Sequence, residues 1–198
     1  MSLLHQYLDE IVDYLSQYGY FLRDWLQPGI HPKQVLSQLN ILPFKVSQEI
    51  IQIYSWRNGT RIDPFGNIEL FPMFIFSSLE HVIHHLMEDQ VIEIIFNSYD
   101  FYFFPIFGDS FGDSFGIKGN HERTHASPII KIDDDGYGPN VLFGSLTQMM
   151  ETLVSCYREG AFFVKDGSLS ADYDRYGEIA LRLNPEIEYW HKYVKGEI

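Results

Sequence analysis

The clearest catalytic pattern in the chain is His121-Glu122-Arg123-Thr124-His125, which has the His-Glu-x-x-His spacing of zinc hydrolases. In those enzymes two imidazoles bind zinc from one face of a helix, and the intervening glutamate activates the metal-bound water. Here the pattern lies between Gly119-Asn120 and Ser127-Pro128, with strand-like segments on both sides. The sequence therefore favours a short exposed hairpin loop, and a zinc-dependent hydrolase using His121, Glu122 and His125 is kept as an alternative.

A second pair of imidazoles, His81 and His85, is spaced four residues apart in a predicted helix. Two metal ligands could converge there, but the sequence offers no identifiable third ligand. Histidines on the flank of an amphipathic helix are more often solvated, lie at the edge of the core, or form a pH-sensitive surface. We therefore predict no metal site and no cofactor.

Two acidic segments resemble ligand loops but lack essential residues. Asp133-Asp134-Asp135-Gly136 suggests a calcium loop, yet Lys131 stands where its first carboxylate belongs and the late glutamate is missing. Residues 108–115 repeat Gly-Asp-Ser-Phe twice, with two carboxylates and no lysine to hold a phosphate. We predict a solvated turn in the first segment and a β-turn with a bulge in the second.

The single cysteine, Cys156, lies beside the buried face of a predicted helix and has no neighbours that would favour a thiolate. We expect it to serve packing. One cysteine allows no intramolecular disulfide, so the cytosol is the expected compartment, and the N-terminus has no basic region before an apolar run that would indicate a signal peptide.

The charge balance is strongly acidic, with 14 Lys plus Arg against 27 Asp plus Glu and a net charge of −13. Such a surface repels phosphate backbones and anionic lipids, so nucleic acids and membranes are poor candidate partners. The most apolar stretch, Val91 to Phe107, is interrupted by polar residues and by Pro105, which argues against a membrane span. We predict that this stretch is buried core.

Hydrophobic residues recurring at steps of three and four predict the helices. In the first part of the chain, helices are expected at residues 3–18 with a stop at Gly19, in a short segment from Pro32 to Leu39, and at residues 46–54 with Asn58-Gly59 as the cap. Two further helices are expected after capping boxes, one at Ser77 to Glu80 and one at Ser145 to Gln148, and the second of these ends at Gly160. A last helix is expected at residues 176–183.

Aromatic and β-branched runs between turn residues predict the strands. They are expected at residues 101–107, 114–118, 129–132 and 141–143, with a further apolar run at residues 161–164 before a turn at residues 166–168. No low-complexity linker divides the chain, so residues 1–198 are expected to form a single domain.

The order of short motifs resembles the SUKH superfamily, which includes the fungal cell-wall-assembly regulator and many bacterial toxin-immunity proteins. The motifs that carry the resemblance are Leu42-Pro43, Tyr54-Ser55-Trp56-Arg57-Asn58-Gly59, Ile68-Glu69-Leu70-Phe71, Phe104-Pro105-Ile106 with Gly108-Asp109 and Gly112-Asp113, and Phe143-Gly144-Ser145-Leu146. The chain departs from the family at Phe104, where a tryptophan is usual, and at Leu146, where a phenylalanine is common. The SUKH-like core spans about residues 41–157, between an N-terminal helical segment at 1–40 and a C-terminal extension at 158–198.

The resemblance implies an α+β fold in which a largely antiparallel central sheet is flanked by helices. It also implies a non-catalytic role, in which the chain binds and neutralises a toxin domain such as a basic nuclease; a regulatory scaffold of the cell-wall-regulator type is an alternative. An acidic surface would speed the encounter with a basic toxin. The residues predicted to contact such a partner are Asp109, Asp113, Asp133, Asp134, Asp135 and Tyr137.

Overall fold

Helices and short strands alternate along the chain in the computed structural model, which describes residues 2–61, 68–88, 91–133 and 139–198. Within these residues the elements are α1 Leu3–Gln17, α2 Leu22–Trp25, β1 Leu26–Pro28, α3 Pro32–Leu39, α4 Gln48–Trp56, β2 Arg57–Thr60, β3 Ile75–Phe76, α5 Leu79–Glu88, α6 Val91–Tyr99, β4 Phe103–Gly108, β5 Ser114–Lys118, β6 Ile129–Ile132, β7 Asn140–Phe143, α7 Leu146–Arg158, β8 Phe162–Lys165, β9 Ser168–Ala171, α8 Tyr173–Leu183 and α9 Glu188–Val194.

The central sheet has five antiparallel strands in the order β3-β4-β5-β6-β7. Phe104 pairs with Ile117, and Ile117 pairs with Ile129; all three side chains are buried. Two smaller antiparallel pairs, β1 with β2 and β8 with β9, accompany it. The predicted α+β class with a largely antiparallel sheet is therefore confirmed, and the four predicted central strands correspond to β4, β5, β6 and β7.

The N-terminal helix packs against α7, and both follow their predicted hydrophobic stripes. Five residues of α1 are buried, namely Leu4, Leu8, Ile11, Val12 and Leu15. Gly19 follows α1 with a φ of +79°, a backbone conformation that glycine adopts without strain. Ser145 begins α7 as predicted, because its Oγ accepts a hydrogen bond from the Gln148 amide at 3.0 Å.

A carboxylate from α4 completes the start of α7. Glu49 is only 4% exposed, and its oxygens accept hydrogen bonds from the amides of Leu146 at 3.2 Å and Thr147 at 2.9 Å. The Thr147 hydroxyl donates to the same carboxylate at 2.5 Å. The first amides of a helix lack partners within the helix, so this buried anion stabilises α7 through hydrogen bonds and the helix dipole.

The prediction that Asn58-Gly59 caps the helix before it is wrong, since Arg57 is the C-cap of α4 and both predicted residues lie in β2, where Asn58 caps α5 instead. Asn58 Oδ1 accepts from the Leu79 amide at 2.9 Å, and Asn58 Nδ2 donates to Glu80 Oε2 at 2.7 Å. Gly59 has a φ of +76°, and a Cβ there would lie 2.5 Å from the Ser78 nitrogen. Only glycine permits this close approach.

The predicted capping box of α5 is also corrected. Ser78, rather than Ser77, is the N-cap, and its Oγ accepts from the His81 amide at 3.3 Å. Glu80 is therefore the second residue of α5 rather than the third, which a capping box requires, and its carboxylate accepts from Asn58. The stripe of α5 that faces the core consists of the buried residues Leu79, Val82 and Leu86, with Ile83 partly buried beside them.

The stretch Val91 to Phe107 is not uniformly buried, contrary to the prediction. Its first part is α6, in which Ile94 and Phe96 are exposed by 59% and 38%. Ile92 of α6 packs against the core with partial burial, whereas the buried side chains Phe103, Phe104, Ile106 and Phe107 belong to the second part, in β4. A short apolar run does not by itself distinguish a buried strand from a helix, which turns part of its surface to solvent.

The C-terminal extension adds the predicted β8–β9 turn and two helices. α8 begins at Tyr173, because Asp172 accepts from the Arg175 amide at 3.1 Å and caps it. α9 was not predicted. Its Trp190 is buried, and Trp190 Nε1 donates to the Leu142 carbonyl of β7 at 2.6 Å, which fixes α9 to the edge of the central sheet.

No helix within the described ranges combines the length and the apolar character needed to cross a membrane.

Candidate partner-binding groove

An open groove lined mainly by aromatic side chains lies where α8 and α9 meet the sheet, and its volume is about 270 Å³. We call it the tyrosine groove. Its buried floor consists of Phe71, Phe74, Phe115, Leu142, Phe162 and Trp190. Its partly or fully exposed rim consists of Met73, Asp113, Lys131, Tyr173, Tyr189 and Tyr193.

Close packing of α8 against α9 brings the rim tyrosines together. Gly177 of α8 faces Tyr193 of α9, and a Cβ at Gly177 would lie 2.5 Å from the Tyr193 ring. Tyr189 and Tyr193 are one helical turn apart in α9, with ring centroids 6.0 Å apart. The glycine thus permits the contact that places three tyrosines around one opening.

A tight turn at Phe71 to Phe74 forms the opposite side of the groove. Met73 has a φ of +74°, and its amide donates to Glu69 Oε2 at 3.0 Å. The Tyr173 hydroxyl donates to the Met73 sulfur at 3.2 Å, so α8 and this turn touch across the rim. Burial raises the pKa of Glu69, and the hydrogen bond from Met73 opposes that rise only in part.

One cation is held between two carboxylates at the rim. Lys131 Nζ lies 2.7 Å from Asp113 Oδ2 and also pairs with Asp133 Oδ1. Burial lowers the pKa of Lys131, but hydrogen bonds and Coulombic attraction to Asp113 and Asp133 outweigh it, so its pKa is raised. The three groups together carry a formal charge of −1, since two carboxylates face one ammonium.

Tyr189 is electrostatically coupled to this ionic cluster. Burial raises the pKa of Tyr189, Lys131 opposes the rise, and Asp133 and Asp113 add to it. Tyr189, Lys131 and Asp113 also line the same groove, so its aromatic and ionic parts belong to one surface.

The predicted partner-contacting residues separate into three groups. Asp113 and Asp133 meet at the tyrosine groove through Lys131. Asp109 instead stabilises the β4–β5 turn, where its Oδ1 accepts from the amides of Phe111 at 2.8 Å and Asp113 at 2.9 Å. The remaining three, Asp134, Asp135 and Tyr137, lie outside the described residues.

The β4–β5 turn confirms the predicted hairpin, but its bulge lies elsewhere. The register between the two strands shifts between Pro105 and Phe107, inside β4 rather than in the Gly-Asp-Ser-Phe segment. The bend belongs to the strand that contains Pro105, a residue without an amide to donate to the ladder.

The sequence analysis did not find the rim tyrosines, although a signal was present. Four tyrosines and one tryptophan occur between residues 173 and 193, at spacings that suit two short helices. Their convergence depends on how α8 and α9 pack against each other, which sequence spacing within each helix does not specify.

A second groove, of about 580 Å³, lies beside the start of α5. His81, His85, Arg61 and Asp109 are among its lining residues, and the His81 and His85 rings are nearly parallel, with centroids 6.4 Å apart. Across the described part of the chain, no three His, Cys, Asp or Glu side chains are placed to share a metal ion.

The other chemically suggestive residues have structural surroundings. His121 to His125 lie in the loop between β5 and β6, as predicted, without the helix that would direct both imidazoles to one face. Cys156 is fully buried in α7, and burial raises the pKa of its thiol, which disfavours the reactive thiolate. The packing role predicted for this cysteine fits its surroundings.

Comparison with protein-family models and with curated proteins gave no match for this chain.

Proposed function

We propose that the protein is a non-catalytic binding module that recognises a toxin domain through the tyrosine groove and neutralises it in the cytosol. The observation that carries the proposal is the groove itself, in which the partly exposed rings of three tyrosines and the Lys131–Asp113 ion pair line one opening above a buried, mainly aromatic floor. Tyrosine, tryptophan and methionine are enriched in protein interfaces, where a few such residues supply most of the binding free energy.

The charge of the protein supports a basic partner. The net charge of −13 would accelerate association with a positively charged surface, and the rim carboxylates Asp113 and Asp133 extend that field to the groove. A nuclease that binds phosphate backbones has such a surface. A bound acidic protein would occupy that surface and exclude the nucleic acid.

The resemblance to the SUKH superfamily supports the same role. The family's expected architecture, an antiparallel sheet flanked by helices, is the architecture of this chain. Because one fold serves many functions, the groove rather than the fold carries the functional argument. Three of the six rim residues, Tyr173, Tyr189 and Tyr193, belong to the C-terminal extension outside the SUKH-like core.

Co-expression with the product of the neighbouring reading frame tests the proposal. We expect a complex that co-elutes in size-exclusion chromatography, suppresses the toxic activity, and dissociates progressively as NaCl rises from 50 to 500 mM, roughly as expected for charge-assisted association. Replacing the partly exposed Tyr189 by Ala should weaken the complex, whereas the same replacement at the exposed Tyr18, which follows α1 and does not line the groove, should not.

Absence of a complex, or a complex insensitive to Tyr189→Ala but lost on Tyr18→Ala, would contradict the proposed interface. A complex with a non-toxic partner would instead favour the regulatory-scaffold alternative.

A further inference from the structure

We propose that the tyrosine groove accepts an arginine side chain of the basic partner. This inference rests on the function proposed above and specifies which chemistry of the partner enters the groove. It follows from three properties of the groove: its aromatic rim, the arrangement of its charges, and its size.

The aromatic rim suits a planar cation. Tyr173 is 46% exposed, and Tyr189 and Tyr193 are partly exposed around the same opening. A guanidinium group stacks on aromatic faces and is more weakly hydrated than an ammonium, so it loses less on leaving water. The same protein already places Lys118 Nζ 4.3 Å from the Phe101 ring centroid, a cation–π contact on another surface.

The charges at the rim favour arginine over a second lysine. Lys131 already occupies the point between Asp113 and Asp133, where its ion pairs use Asp113 Oδ2 and Asp133 Oδ1. A guanidinium has five donors in a flat fork, a geometry that matches a carboxylate better than a second ammonium does. Adding one positive charge would also neutralise the cluster's formal charge of −1.

The size of the groove fits one side chain. Its volume of about 270 Å³ is below the range of roughly 300 to 1,000 Å³ typical of pockets for drug-sized molecules. Its buried floor, including Trp190 and Phe115, is rigidly packed within the core. Such a groove can hold the aliphatic stem of an arginine against the floor while the guanidinium stays at the rim.

Titration of the full chain with N-acetyl-arginine amide tests the inference without any partner protein. Tyrosine rings are labelled with carbon-13 and followed by NMR, with the Tyr189 signal assigned from Tyr189→Phe. We expect saturable shifts at the rim tyrosines, and binding about tenfold weaker for N-acetyl-citrulline amide, which keeps the shape of arginine but lacks its charge.

A matched pair of variants separates local from general charge effects. Asp133→Asn should weaken binding of the arginine probe roughly two- to fivefold, the effect of one partly exposed ion pair. Asp166→Asn removes a carboxylate from the exposed β8–β9 turn, where φ is 52° and asparagine is well tolerated, and should leave binding unchanged.

The inference is overturned if the arginine and citrulline probes bind equally well, or if N-acetyl-phenylalanine amide binds more tightly than the arginine probe. It is also overturned if Asp166→Asn weakens binding of the arginine probe as much as Asp133→Asn does. Its failure is distinguishable from failure of the proposed function. A toxin complex without binding of the arginine probe would refute only the arginine anchor, whereas probe binding without a toxin complex would refute only the toxin assignment.

Discussion

Carboxylates at the start of α7 and at the rim of the tyrosine groove have opposite surroundings. Glu49 is 4% exposed and accepts all of its hydrogen bonds from α7. Asp113 and Asp133 have side chains that are 25% and 18% exposed, and they share Lys131 at the surface. The first arrangement satisfies a helix end inside the protein, and the second leaves a net negative charge in contact with solvent.

The difference separates stability from recognition. A buried charge is tolerated only where its own chain supplies the partners, and removing it leaves those partners unsatisfied. A partly exposed ionic cluster contributes little to stability because water screens it, yet it can select an incoming ligand by charge. Substitutions in the two regions should therefore affect different measurements.

The largest effect is expected from Glu49→Ala, which leaves the Leu146 and Thr147 amides without their acceptor. The free energy of unfolding measured in urea should fall by about 3 kcal/mol. Glu49→Gln keeps one acceptor oxygen and should cost less. Binding of the arginine probe by the folded variant should not change. A change in that binding would contradict the division between a region that stabilises the protein and a region that binds the ligand.

A smaller loss is expected from Trp190→Phe in the floor of the groove. The variant loses the hydrogen bond to the buried Leu142 carbonyl and leaves a small cavity, so the free energy of unfolding should fall by about 2 kcal/mol. The matched rim variant Tyr189→Phe keeps its ring and loses a hydroxyl, and should cost less than about 0.5 kcal/mol. Equal losses in urea unfolding would show that the rim is as structural as the floor.

Lys131→Met should destabilise the protein slightly but strengthen its binding of the arginine probe. Asp113 and Asp133 lose their shared cation, so the free energy of unfolding should fall by about 1 kcal/mol or less, given the solvent exposure of the cluster. Binding of N-acetyl-arginine amide should become tighter by about threefold, because the cluster's formal charge changes from −1 to −2. Weaker binding would mean that Lys131 itself contacts the ligand.

The smallest effect is expected from Glu69→Gln at the turn beside the groove. Burial raises the pKa of Glu69 in the folded state, so the folded protein holds this proton more tightly than the unfolded chain does. The contribution of Glu69 to the free energy of unfolding therefore falls as the pH rises from the pKa of Glu69 in the unfolded chain, about 4.3, through its higher pKa in the folded protein. The variant should be more stable by a few tenths of a kcal/mol at pH 7 and show no gain at pH 3.

Urea unfolding at a series of pH values measures this difference. A gain at pH 3 that disappears at pH 7 would reverse the sign and contradict burial as the cause.

The sequence predicted elements whose cause is local and missed features whose cause is not. The stripe of α1 and the Ser145 cap depend on residues within a few positions, so periodicity and capping rules found them. Asn58-Gly59 follows the same helix-ending pattern, yet the partners of Asn58 are 21 and 22 residues away in α5. Local pattern rules carry no information about a partner at that distance.

The candidate site divides in the same way. Asp113 and Asp133 were expected at an interface because acidic turns are visible in the sequence. Asp113 lines the groove and Asp133 pairs with the rim residue Lys131, while their contact with a partner stays a prediction. The tyrosines of α8 and α9 converge through the packing of Gly177 against Tyr193. That contact joins residues from two helices, and neither helix alone displays a binding pattern.

The cap that β2 supplies to α5 has a consequence for the order of folding. The first amide of α5, that of Leu79, donates to Asn58 of β2, so α5 cannot be completed until β2 has docked beside it. A synthetic peptide of residues 77–88 should accordingly remain largely unstructured in water. In the intact protein, the Leu79 amide should exchange its hydrogen only when β2 and α5 separate, so its exchange rate reports the opening of that junction.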